Sequence, residues 1–102
     1  MNGYDMMVLM CAAADADIKY ISGERQAHAD GNGICCVRCA LRTEGYDQRE
    51  LMTGLAAASA AVGRLPAVLG VRTVSPMICE AKEARGYMRY RQDIEVIYEG
   101  DL

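Results

Sequence analysis

The sequence predicts an α+β fold over residues 1–102 as a single domain. A small antiparallel sheet carries a helix on one face, in the order strand-strand-strand-helix-strand-strand. Three observations lead there. From Ile34 the chain alternates, with Cys35, Val37, Cys39 and Leu41 on one side and Cys36, Arg38, Ala40 and Arg42 on the other. Leu51, Leu55, Ala58 and Val62 recur at helical spacing. Met88, Tyr90, Ile94, Val96 and Tyr98 alternate with Arg89, Arg91, Asp93 and Glu95 near the other end of the sequence.

Taken in order, Met6 to Ala13 is a short apolar run that reads as a buried strand, and Ala14 to Asp17 turns it into a second strand from Ile18 to Glu24. The polar stretch Arg25 to Gly33, with Gly31-Asn32-Gly33, reads as an exposed loop. The third strand ends at Glu44-Gly45. Asp47 then caps a helix, with Glu50 three residues on as in a capping box, and Gly63 and Pro66 stop it. Gly54 and the alanines and serine from Ala56 to Ala61 allow close approach of a neighbour, for which the sheet is the natural candidate. Val71 to Glu80 reads as a strand that Pro76 places at an edge or a bulge. Gly86 marks the hairpin turn into the last strand. An antiparallel sheet covered on one face by the helix buries both periodic patterns.

A chain of 102 residues supports a core without disulfides or metal. Phe and Trp are absent, so six Tyr and seven Met supply the bulk, and Met suits both irregular packing and adaptable contact surfaces. A net charge of -3 argues against a nucleic-acid partner. Lys19 and Lys82 are the only lysines, and the remaining positive charge is arginine, which favours bidentate, interface-type pairing. No apolar run has the length of a membrane span, and the first residues lack a basic signal-type region, so synthesis in the cytoplasm is expected. Five cysteines, an odd number, are expected as thiols rather than a disulfide framework.

The segment HADGNGICCVRCALR, His28 to Arg42, admits three chemistries. Cys36 and Cys39 have CxxC spacing, with His28 nearby and Cys11 or Cys79 as further zinc ligands. Strand alternation aims the two sulfurs to opposite faces, however, and no second ligand pair is present, so no metal is expected. His28-Ala29, the glycine loop and Cys36 resemble the ribosomal-processing cysteine protease family. That resemblance implies a Cys36 nucleophile with His28 as base. Ala27 stands where that family has glycine, and the stretch after Cys36 is an alternating, arginine-bearing strand instead of a small-residue helix. The structural reading makes Cys35 and Cys39 small buried hydrophobes, and it covers the residues with the fewest assumptions. Nucleotide-loop, serine-hydrolase and metalloprotease motifs are absent, and no cofactor is expected. The carboxylate pairs Asp15/Asp17 and Asp93/Glu95 could each share a strand face, and the second reads as charge balance for Arg89 and Arg91.

With no concentrated chemistry, assembly becomes the expected class. The succession ICCVRCALR, YDQRELMTGLAAASAAVGRLPAVL and YMRYRQDIEVIYEGDL, about residues 34 to 102, resembles the tail-terminator (tail-completion) proteins of long-tailed bacteriophages. The resemblance implies a non-enzymatic subunit of a virion or phage-like particle. Such a subunit forms a typically hexameric homo-oligomeric ring at the tail or neck and contacts other tail or head-tail proteins. Many members of that family begin with a helix, whereas this chain reads as beginning with strands. The residues expected at subunit contacts are Arg38, Arg42, Arg89, Arg91, Asp93 and Glu95.

Overall fold

The computed structural model describes residues 3–14, 16–27 and 33–100. Among them are helix α1 (Gly3–Ala13), strands β1 (Asp17–Ala27) and β2 (Gly33–Gly45), helix α2 (Gln48–Gly63), and strands β3 (Val68–Thr73), β4 (Ile78–Lys82) and β5 (Met88–Gly100). The sheet is antiparallel in the order β1-β2-β5-β3, with β4 pairing β5 on the same side as β3 and further along it. Both helices lie on one face, where α2 packs on β2, β5 and β3 while α1 packs on β1 and α2. The fold is therefore α+β.

The expected first strand is a helix instead. Met6 to Ala13 falls within α1, where Met6 and Met10 are fully buried one turn apart and Ala14 continues the same row. A short apolar run does not separate strand from helix by periodicity alone. Here the content of Met, Leu and Ala, with Val8 as the one β-branched residue, favours the helix. The expected loop from Arg25 is also shorter, because β1 extends to Ala27 and β2 starts at Gly33.

Helix α2 starts where its cap chemistry places it. The Asp47 carboxylate accepts hydrogen bonds from the backbone N–H of Arg49 (2.9 Å) and Glu50 (3.3 Å), satisfying donors that the first turn leaves unpaired. Its buried row is Leu51, Leu55, Ala58 and Val62, as the spacing predicts. These side chains meet Cys35, Val37, Cys39 and Leu41 of β2 and Ile94, Val96 and Tyr98 of β5, together with Met6 and Met10, in one core. Close approach of α2 to the sheet is visible at Gly54, where an added Cβ would lie 3.3 Å from Thr43 Cγ2.

The single strand expected from Val71 to Glu80 is two. β3 ends at Thr73, residues 74–77 cross over with Pro76 among them, and β4 resumes at Ile78. The crossover is tied to β5 through the Asp93 carbonyl, which accepts from Val74 N (2.9 Å) and Ser75 N (3.3 Å), while Asp93 N donates to Ser75 Oγ (3.0 Å). Gly86 turns the chain into β5 with φ of +89°, a conformation that suits glycine, and Glu83 N donates to Tyr87 O across the hairpin.

Candidate interaction surface

The face of the sheet away from the helices carries every residue that alternation singled out for subunit contact, and the fold joins them into ion pairs, most of them across strands. On β2 the outward row is Ile34, Cys36, Arg38, Ala40, Arg42 and Glu44. On β5 it is Arg89, Arg91, Asp93, Glu95, Ile97 and Glu99. Antiparallel register sets Arg38 opposite Glu95, Ala40 opposite Asp93, Arg42 opposite Arg91 and Glu44 opposite Arg89.

Three groups of charges result. Glu95 receives Arg38 from β2 at 3.3 Å and Arg72 from β3 at 3.1 Å. Arg91 donates to Asp93 on its own strand through Nε (2.7 Å) and Nη2 (3.1 Å). Arg42 grips Glu80 through two bonds of 3.0 and 3.1 Å, and Arg91 approaches the same carboxylate at 3.5 Å. At the far end, Glu44 accepts from Tyr87 Oη (2.7 Å) and Arg89 Nε (2.8 Å), and the Tyr87 ring meets Tyr46 edge-on with centroids 5.2 Å apart.

These contacts set the protonation of the surface. The Tyr87 hydroxyl and the Arg89 guanidinium hold the Glu44 carboxyl below the usual carboxylate range, and Arg42 with Arg91 does the same for Glu80. The reciprocal bonds to Glu44 raise Tyr87 and Arg89, while Asp93 first and Glu80 second raise Arg91. At neutral pH the face is therefore a set of fixed, mutually neutralising charges. Such pairs contribute little individually at a wet surface but hold long side chains in defined positions.

Alternation found Arg38, Arg42, Arg89, Arg91, Asp93 and Glu95 but missed their partners Glu44, Glu80, Arg72 and Tyr87. Glu44 was within reach, since it continues the outward parity of Arg38 and Arg42. Glu80 sits where the β4–β5 register shifts between Cys79 and Ala81, so simple parity does not place it. Gln92 also escaped notice. It lies on the core side between Tyr90 and Ile94, 8% exposed, with its amide directed at the Ser75 carbonyl 3.5 Å away.

The cysteines follow the strand. Cys35 and Cys39 are buried core residues, and Cys36 points to the charged face, so the CxxC pair is split between faces. Burial, with Cys11 and Asp93 nearby, pushes the Cys39 thiol up to about 12. Among the described residues no group of three or more Cys, His, Asp or Glu is arranged to hold a metal ion. Cys36 lines a groove of about 370 Å³ with Ser22, Gly23, Arg38 and Glu95. His28, the base that a cysteine protease would need, lies outside the described residues.

The fold defines a class, an antiparallel α+β sheet with both helices on one face and paired charges on the other. Beyond that class, no family model matches the chain and no curated protein matches it in sequence. No helix among the described residues is long and apolar enough to cross a membrane.

Proposed function

We propose that the protein is a self-associating structural subunit of a phage or prophage-like particle, a ring-forming component of the tail-terminator kind. The observation that carries this reading is the pair of open sheet edges. Among the described residues, β1 has no strand partner on its outer side, and neither do β3 and β4, at the opposite end of the sheet. Two different edges on opposite ends favour head-to-tail contact between copies, and repeated head-to-tail contact closes into a ring when the rotation allows. Pro76 and the register shifts at Tyr20/Ser22, Val68/Gly70 and Cys79/Ala81 keep each stretch available for pairing short, which guards against indiscriminate association.

The element order adds support. Helix α1 removes the difference at the start of the chain, since tail-terminator proteins commonly begin with a helix. The arginines of the charged face reach neighbouring copies from fixed positions, with Arg38, Arg72 and Arg89 the most exposed among the paired ones.

Native mass by light scattering over a concentration series, with and without a chelator, tests the reading alongside negative-stain imaging. The expected result is a discrete, chelator-insensitive oligomer with ring views that weakens in Arg89→Ser and Arg91→Ser. An oligomer unchanged in both variants removes the arginines from the contact. A monomer at every concentration with no rings overturns self-assembly.

A further inference from the structure

The two faces of this molecule differ sharply in chemistry. Opposite the paired charges, the outer surface of the helix layer is almost uncharged, with no charged side chain from Met6 to Ala14 or from Leu51 to Gly63. Surface helices of globular proteins ordinarily turn charged residues outward, and a helix apolar all round is ordinarily buried all round.

The outer surface has a distinct relief. On α1, Tyr4, Val8 and Ala12 form an exposed i, i+4, i+8 row flanked by Leu9, with Tyr4 77% and Val8 51% exposed. On the adjacent α2, past the polar first turn of Gln48, Arg49 and Glu50, the exposed residues are small: Thr53, Ala56, Ala57, Ala60 and Gly63. One helix offers protruding side chains, and its neighbour offers a shallow, smooth strip of similar length. We infer that this layer is a self-complementary interface, in which the Tyr4–Val8–Ala12 row of one copy seats on the Thr53–Ala60 strip of a second copy, and the reverse, about a two-fold axis.

Several observations favour a second copy as the occupant. The two surfaces are complementary in shape and lie side by side on one face, the arrangement that an isologous contact requires. Their charges lie at the margins, with Asp5 in the first turn of α1, Arg49 and Glu50 offsetting each other at the start of α2, and Arg64 just past its end, so the contact itself buries no charge. Their extent suits a dimer. Helices of 11 and 16 residues, about 16 and 24 Å long and roughly 10 Å wide each, present on the order of 400 Å² in projection. The accessible surface of a corrugated layer is larger than its projection, which places the contact toward the smaller, weaker end of specific interfaces, whose standard size is roughly 800 Å² per partner. Small residues let two helix backbones approach closely without burying a charge.

This inference does not rest on the particle reading, since it uses the helix layer and not the sheet edges or the charged face. The test is sedimentation of the full chain across a concentration series, comparing wild type with Val8→Lys, Ala57→Glu, and the double variant Arg89→Ser/Arg91→Ser. Both helix positions are exposed, and circular dichroism verifies that the variants are folded. The expected result is association in wild type and in the arginine variant. Val8→Lys and Ala57→Glu should each lose about tenfold or more in association constant, and an equimolar mixture of the two should recover it, since one contact is then native and the other charge-paired. Wild-type association unaffected by either helix substitution overturns the inference, as does a wild type that stays monomeric. If association is lost only in the arginine variant, the helix layer is not the interface and the charged-face assembly is supported instead.

Discussion

Arg42 of β2 and Arg91 of β5 stand directly opposite one another in the antiparallel register, and the Glu80 carboxylate from β4 bridges both guanidinium groups. Like charges at directly opposed positions disfavour a sheet, so a carboxylate supplied from the irregular β4 pairing makes the pair tolerable.

Replacing Glu80 with Gln removes the anion shared by the two facing arginines and leaves Arg91 with Asp93. The expected loss is modest, about 1 kcal/mol or less, because the site is open to solvent. It should shrink as salt is added. Urea unfolding at low and high ionic strength checks this, and a loss that is independent of salt would count against the bridging role. Arg42→Gln in the same background should recover part of the stability, since it removes the repulsion itself.

The buried Cys39 thiol predicts an alkaline limit. Its ionisation is pushed from the ordinary 9.0 to about 12 in the folded protein, so above pH 9 the unfolded chain releases a proton that the folded chain retains. The stability contribution is fully present below the unfolded value and is lost as pH rises towards the folded one, amounting to as much as about 4 kcal/mol across the whole interval. Thermal unfolding between neutral and alkaline pH should show the decline, and Cys39→Ala should flatten it. At neutral pH, alkylation should label the exposed Cys11 and Cys79 well before Cys39.

The Glu44 cluster acts in the opposite direction. Its carboxyl is held below the ordinary 4.5 by Tyr87 and Arg89, so its contribution is complete above that value and is lost as pH falls through the lowered one. Glu44→Gln should make the acid side of the stability profile shallower, and superimposable acid profiles would exclude the effect. The resonances of the Tyr46 and Tyr87 rings should shift over the same pH range in wild type alone.

Gly54 sets a steric conflict that two substitutions resolve. Alanine there gains about 1 kcal/mol of helix propensity. Its Cβ, however, meets Thr43 Cγ2 at 3.3 Å, and Thr43 is anchored by its hydroxyl bond of 2.9 Å to the Leu51 carbonyl. Gly54→Ala alone should therefore be neutral to destabilising. In a Thr43→Ser background, which keeps the hydroxyl and removes the methyl, the same change should stabilise by up to about 1 kcal/mol. Denaturant midpoints of the four combinations test this, and equal effects in both backgrounds would refute the conflict.

The elements most legible in the sequence were those whose burial is one-sided. Cys35 to Leu41, Leu51 to Val62 and Met88 to Tyr98 each separate a core row from an outer row, and each lies as its period indicates. Asp47 and Gly86 marked a helix start and a turn through chemistry that few other residues supply. Legibility failed where that separation failed. Met6 to Ala13 is apolar on its inner and outer sides alike, which erases the period that would have told helix from strand. The charged face was half visible for a related reason. Strand parity supplied the arginines with Asp93 and Glu95, but Glu80 and Arg72 reach them from strands whose register shifts.

The 13-residue pairing of β2 with β5 has a consequence for how the chain reaches this state. The register joins Gly45 to Met88 at its near end and Gly33 to Gly100 at its far end, so the sheet's centre is built from segments remote in sequence. A β1–β2 hairpin and helix α2 can form locally and meet each other, but the core stays open on one side until β5 arrives between β2 and the β3–β4 arm. Closing that long loop comes before most of the compensating contacts, which places the protein among slow folders for its size. Amide exchange from the centres of β2 and β5 should then occur through a single global opening, at one shared rate.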